Sequence, residues 1–171
     1  FATKLWNAAR FAEMNGCARV AGFDPHGATQ AVNRWIGGEV SRARDAVTAA
    51  ITDHRYNEAA GALYSFVWNV FCDWYLELTK PILSGSEEAA KAETRAMTAW
   101  VFDQILHLLH PFMPFITEEL WSTTGTRAKR LVHTDWPAFA DLTYAEAATE
   151  MGFVTGLIDE IRSARAQVHV P

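Results

Sequence analysis

Apolar residues recur along most of this chain at three- and four-residue intervals, the period of a helical face turned toward a core, and no stretch shows clean alternation. Phe1, Leu5, Ala8, Ala9 and Ala12 open the pattern. They predict a first helix to about Met14, closed at Asn15-Gly16 because glycine tolerates the left-handed conformation of a helix end. Gly22, Asp24-Pro25 and Gly27 mark a loop. A second helix is predicted over roughly 29–53, weakened at Gly37-Gly38 by about 1 kcal/mol per glycine. Asn57 stands where a cap would open a third helix, which runs to Thr79 before Pro81 stops it. Two stripes line this helix: Tyr56, Ala60, Leu63, Val67, Val70 and Trp74, and beside them Tyr64, Trp68, Phe71 and Tyr75. So wide an apolar arc belongs at the centre of a bundle.

Ser86 is placed to cap a fourth helix, with Glu87 and Glu88 facing the positive end of its dipole. Its core stripe reads Met97, Trp100/Val101, Gln104/Ile105 and Leu108, and Pro111 ends it. Pro114 opens a short helix to Trp121. Residues 122–142 read as irregular, with Leu131-Val132-His133 as one short extended segment. Thr143 and Glu146 form a capping-box pattern for a last helix to about Val168, and Val170-Pro171 stop it. The expected fold is an all-α bundle of five to six helices with one irregular segment. A helix that opens on Phe1 without a start signal reads as a domain cut from a longer protein, a single domain over residues 1–171.

Composition narrows the function. Half of the 171 residues are hydrophobic and a fifth are charged, which excludes a disordered tail. Asp73, Glu77 and Lys80 interrupt the longest apolar run, so no membrane span is expected. Two cysteines give no disulfide framework and point to a reducing compartment. The net charge of −5 argues against a protein that coats nucleic acid through bulk charge. Its distribution is uneven, with seven basic and six acidic groups in residues 1–60 against three and eight in 61–126. An anion site would be a local patch drawn from the first sixty residues.

Catalytic signals are weak throughout. His107, His110 and His133 lack a fourth ligand at a convergent spacing, so no metal is expected, and His110 reads as a cap on helix-end carbonyls. Cys17 and Cys72 have no neighbouring base, and Cys72 reads as packing. Glu87-Glu88 and Glu118-Glu119 sit in first helical turns as solvated dipole partners. Neither a P-loop nor a dinucleotide glycine motif is present. The first helix says more. Lys4, Asn7, Ala8 and Phe11 share one face, and Trp6 and Arg10 share the next. A cation, an amide and a ring on one surface can grip phosphate and stack a splayed-out base. The same spacing fits an ordinary amphipathic helix with Phe11 and Trp6 in the core.

Longer words settle more than spacing does. KLWNAARF (4–11), YNEAAGALYSFVWNVFCDWYLELTKP (56–81), LHPFMPFITEELW (109–121) and IDEIRSARAQ (158–167) together resemble the anticodon-binding helical bundle of the valyl-tRNA synthetases, class I aminoacyl-tRNA synthetases. The HPFMPF block is shared with isoleucyl, leucyl and methionyl relatives, whereas KLWNAARF combined with FCDWYLELTKP is specific to the valyl group. The HIGH-like and KMSKS-like catalytic signatures are absent. The resemblance implies that this bundle grips the tRNA(Val) anticodon loop in the cytoplasm. A distant catalytic domain of the same chain would join valine to tRNA using ATP and Mg, with editing and C-terminal coiled-coil regions elsewhere. No cofactor is implied for the bundle itself. Carried over, the family's RNA contacts fall on Lys4, Phe11 and Leu76, with Arg10 and Glu77 nearby. Phe11 and Leu76 would offer apolar faces to bases, Lys4 would meet phosphate or a base acceptor, and Asp73 and Trp74 would lock the third helix into the bundle. The alternatives are the equivalent isoleucyl-tRNA synthetase bundle and a helical protein-interaction module without RNA.

Overall fold

In the computed structural model, which describes residues 1–168, six helices and two short 3-10 turns follow one another, with no strand among the described residues. They are α1 (Ala2–Met14), α2 (Ala31–Thr52), α3 (56–84), α4 (Glu88–Leu109), α5 (Pro114–Thr123) and α6 (Ala145–Gln167). The expected stop at Val170-Pro171 lies outside the described residues. The core is continuous across the helices: Leu5, Ile36, Val40, Val47, Leu63, Met97, Ile105 and Leu120 are all essentially without solvent contact. α2 packs against α3, α4 and α6, so it shares the centre that the sequence pattern gives to α3 alone.

The third helix departs most from expectation. It begins at Tyr56 with Arg55 at the capping position and no side-chain cap, and Asn57 lies inside it. From Ser65 to Tyr75 the helix is π-helical, and it then passes through Pro81 to end at Ser84. Proline removes an amide from the hydrogen-bond ladder. Hydroxyls meet the carbonyls around it: Thr79 donates to Leu76 (2.8 Å) and Ser84 to Lys80 (2.9 Å). The wider π turn also breaks the two expected stripes. Phe71 and Tyr75 are buried, but Tyr64 is 48% exposed.

Two predicted caps are not used, and at the second tertiary contacts take over. α4 starts after Glu87 and not at Ser86. α6 starts after Tyr144, without the Thr143–Glu146 box. There the Tyr144 hydroxyl reaches the Pro25 and His26 carbonyls (both 3.3 Å), and the Leu142 amide donates to Ser41 Oγ (3.0 Å), so the chain is fixed by its neighbours. Gly37 admits this segment: a Cβ there would meet Leu142 Cδ1 at 3.2 Å. The irregular connection is pinned along its length. Arg127 forks onto Asp103 (both bonds 2.7 Å), and the buried Arg44 holds Asp141 and the Phe139 carbonyl. Leu131–His133 form a 3-10 turn and not an extended segment. The reason is Glu118, whose carboxylate accepts from the Leu131 and Val132 amides (2.9 and 3.2 Å) and is therefore more than a solvated dipole partner.

A buried polar network ties α2, α3 and α4 together. Glu93 of α4 accepts from the Thr29 and Gln30 amides, the Thr29 hydroxyl and Asn33 Nδ2 at 2.6–2.9 Å, supplying the cap that the start of α2 lacks. Asn33 also accepts from the Tyr75 hydroxyl (3.0 Å), which lies 3.2 Å from Thr98 Oγ1. Burial pushes Glu93 up, but the hydrogen bonds from Asn33, Thr29 and Gln30 outweigh it and hold the carboxyl below its ordinary 4.5.

Candidate nucleic-acid interface

All five residues expected at an RNA site stand on α1 or α3, and these two helices meet through Lys4. Its ammonium pairs with the Asp73 carboxylate and sits 4.0 Å above the Trp68 ring centroid. The π register makes both contacts possible. Residues five apart lie on one side of a π-helix, so Trp68 and Asp73 face α1 together, whereas an α-helix would turn them apart. The pair is not sealed: the Lys4 and Asp73 side chains are 27% and 47% exposed. Asp73 thus does tie the third helix into the bundle. Trp74 does so on the other side, with the Arg162 guanidinium of α6 5.0 Å from its ring.

The remaining expected residues are placed unequally. Phe11 is half-buried and packs against the core. Leu76 is only 6% exposed and belongs to the core, so it supports the surface from beneath and does not present an apolar face. Glu77 is exposed and bonded to Lys80 at 2.7 Å. It shares a shallow groove of about 530 Å3 with Asn69, Asp73 and Trp74 of α3 and Asp159 and Arg162 of α6. Arg10 is turned away from Lys4. It lines a separate cleft of about 320 Å3 between α1, α4 and α5, together with Trp6 and Arg19. Lys4 and Glu77 therefore belong to one continuous surface, which Arg10 does not share.

Other chemistry resolves into structure. His110 Nδ1 lies 2.8 Å from Thr117 Oγ1, so it ties α5 to the end of α4 and does not cap helix-end carbonyls. His107 Nδ1 bonds the Asp103 carbonyl (2.8 Å), and burial lowers its pKa. Burial likewise pushes the Cys17 and Cys72 thiols up to about 11, so both are protonated at neutral pH. Among the described residues no group of three or more His, Cys, Asp or Glu side chains converges as metal ligands would. No described helix is long and apolar enough to cross a membrane.

Residues 33–171 match the family model for the anticodon-binding domain of tRNA ligase. The chain is 56% identical over 176 residues to a valine--tRNA ligase of Caulobacter vibrioides, covering all of this chain and 19% of that protein. It is 58% identical over 174 residues to one from Cereibacter sphaeroides, covering all of this chain and 17% of that protein. A valine--tRNA ligase of Rhizobium meliloti is 56% identical over 177 residues, again across the whole chain and 18% of the relative. The chain thus spans about a fifth of the length of the curated relatives it matches.

Proposed function

The chain belongs to the anticodon-binding domain family of tRNA ligases, with valine--tRNA ligases as its relatives, and from that premise we propose that it receives the anticodon loop of tRNA(Val) at the α1–α3 junction. Residues 1–171 would act as one binding domain of a longer, cytoplasmic synthetase. The attachment of valine, with its ATP and Mg, would take place elsewhere in that protein. One observation carries the placement of the site. The Lys4–Asp73 pair joins the two helices that hold every residue implied by the family resemblance, although the partners are 69 positions apart.

The roles differ from those expected of the residues singly. Lys4 is already held by Asp73 and Trp68, so it brings an oriented cation to the loop. Phe11, half-buried on the same face of α1, would offer its exposed part to a base, Leu76 backs the surface, and Glu77 stands in the adjoining groove, where a carboxylate can accept from a base amine. Arg10 would meet phosphate at the far side of α1. With a net charge of −5, few counterions are released on binding, and affinity should be modest and only weakly salt-dependent. The test is a titration of the full chain with the anticodon stem-loop of tRNA(Val), its one-letter anticodon variants and the isoleucine-type loop, at two salt concentrations. Preference for the valine loop is the expected result. Equal affinity for all loops, or a salt slope matching roughly six or more neutralised phosphates, would count against the reading.

A further inference from the structure

Three aromatic rings lie together at the surface beside Lys4. Tyr64 and Trp68 have centroids 5.6 Å apart and planes 14° from parallel. Phe1 lies 5.7 Å from Tyr64 and 6.3 Å from Trp68, tilted by 31° and 25°. Tyr64 keeps 48% of its surface in water. In the α-helical reading, these two α3 residues fall in a core stripe with Phe71 and Tyr75. The two pairs part there, with Phe71 and Tyr75 in the interior, Tyr64 exposed and Trp68 half-buried.

We propose that Tyr64 and Trp68 form a stacking platform for one unpaired nucleobase of the bound RNA, next to the site assigned above. The proposal rests on the anticodon reading for the identity of its occupant. The platform's own chemistry fits a base better than a phosphate. Its charged rim is the Lys4–Asp73 pair, which is neutral overall, and its rings are nearly parallel, an offset stack that a further flat ring can extend. Lys4 above Trp68 fixes that indole through a cation–π contact, so the platform is ordered before RNA arrives. Base stacking on such rings tolerates every base. The platform therefore contributes affinity and loop geometry, while the choice of anticodon letter stays with hydrogen-bonding groups.

The test uses the full chain and an anticodon stem-loop carrying 2-aminopurine at single loop positions. Tyr64→Ala should weaken binding about ten-fold, the order of one lost base stack. Tyr64→Phe, which keeps the ring, should stay within about two-fold on the same stacking argument. The salt slope should not change, because no phosphate contact is removed. One 2-aminopurine position should be quenched on binding, and that quenching should disappear in Tyr64→Ala. Trp68→Phe is the second variant, since it keeps a ring where Trp68→Ala would also loosen Lys4. It should weaken binding without abolishing the quench. Tyr64→Ala binding like the unsubstituted chain while Phe11→Ala binds poorly would overturn the platform and leave the anticodon reading intact. Tyr64-dependent binding of an unstructured oligonucleotide, without preference for the valine loop, would keep the platform and remove that reading. No RNA binding at all would remove both.

Discussion

Two polar clusters join helices that are distant in sequence, and they differ in one respect that decides their roles. The interior cluster links Glu93, Asn33, Tyr75 and Thr98, with Asn33 and Tyr75 wholly shielded from water. The surface cluster links Lys4, Asp73 and Trp68, and its ion pair remains partly wet. In the first, the shielded groups find their partners only in the protein, so each bond removed costs desolvation that water cannot repay. In the second, water or a ligand can replace any member. Pairing across the sequence is therefore no sign of function by itself. Exposure is what leaves the Lys4 cluster free to bind something.

The largest expected effect breaks the interior cluster. Asn33→Leu keeps the approximate volume but removes three hydrogen bonds, those from Asn33 to Glu93 and to Thr94 Oγ1 and that from the Tyr75 hydroxyl to Asn33. A loss of about 3 kcal/mol of stability is expected, at about 1 kcal/mol for each of these bonds, measured by denaturant unfolding. A change below about 1 kcal/mol would mean that water reaches the cluster. Phe11→Ala is next. Phe11 is half-buried against the core, so about 2 kcal/mol should be lost, below the full-burial range for this truncation. RNA binding should weaken as well when corrected for the folded fraction. A loss of stability with unchanged corrected affinity would return Phe11 to the core.

How far the sequence anticipates these clusters depends on what each one rests on. Five helices are legible within a few residues, four from the face each buries at a regular period and α6 from its spacing alone, since of it only Ala147 and Met151 are buried. α3 is legible in extent but not in register. A π stretch shifts the period near Ser65, and nothing in an α-helical count reveals that Tyr64 is exposed and Trp68 only half-buried. Glu93 is invisible for a different reason: its partners stand some sixty positions earlier and touch it only after α2 and α4 pack. The cap at Thr143 fails in the same way, because Tyr144 and Leu142 are fixed by tertiary bonds that override local preference. Of the expected site residues, Arg10 and Glu77 are exposed and Lys4 is partly so. Leu76 is not, because its side chain falls on the buried side of the π-to-α junction.

The interior cluster also predicts a response to acid. The Glu93 carboxyl is held below its ordinary 4.5, so the folded chain binds this proton less readily than the unfolded one. The stability this contributes is fully present above the unfolded value and is lost as pH falls through the folded one. Tm should therefore drop on acidification below about pH 4.5, the ordinary value for this group. Glu93→Gln should have a lower Tm at pH 7 and a shallower acid limb. The size of the effect is limited because the carboxylate is only partly buried. Parallel acid limbs in the two proteins would show that other carboxylates govern the transition.

The smallest effect on stability is expected at Lys4, and it sharpens the contrast most. Lys4→Met preserves the aliphatic stem against Trp68 and removes only the charge. The pair it breaks is partly exposed, and such pairs contribute about 0–1 kcal/mol. Tm should barely move, and less at high salt than at low salt because exposed charges are screened. Asp73, released from its partner, then faces the RNA as an uncompensated negative charge, so affinity should fall more than the loss of one cation alone would give. Asp73→Asn on the same background removes that repulsion and should recover part of the binding. Recovery by the double variant separates a ligand-facing pair from a structural one, because a purely structural pair would show coupling in Tm and none in affinity. If Lys4→Met instead unfolds the chain as readily as Asn33→Leu, the surface cluster is as structural as the interior one and the contrast between them fails.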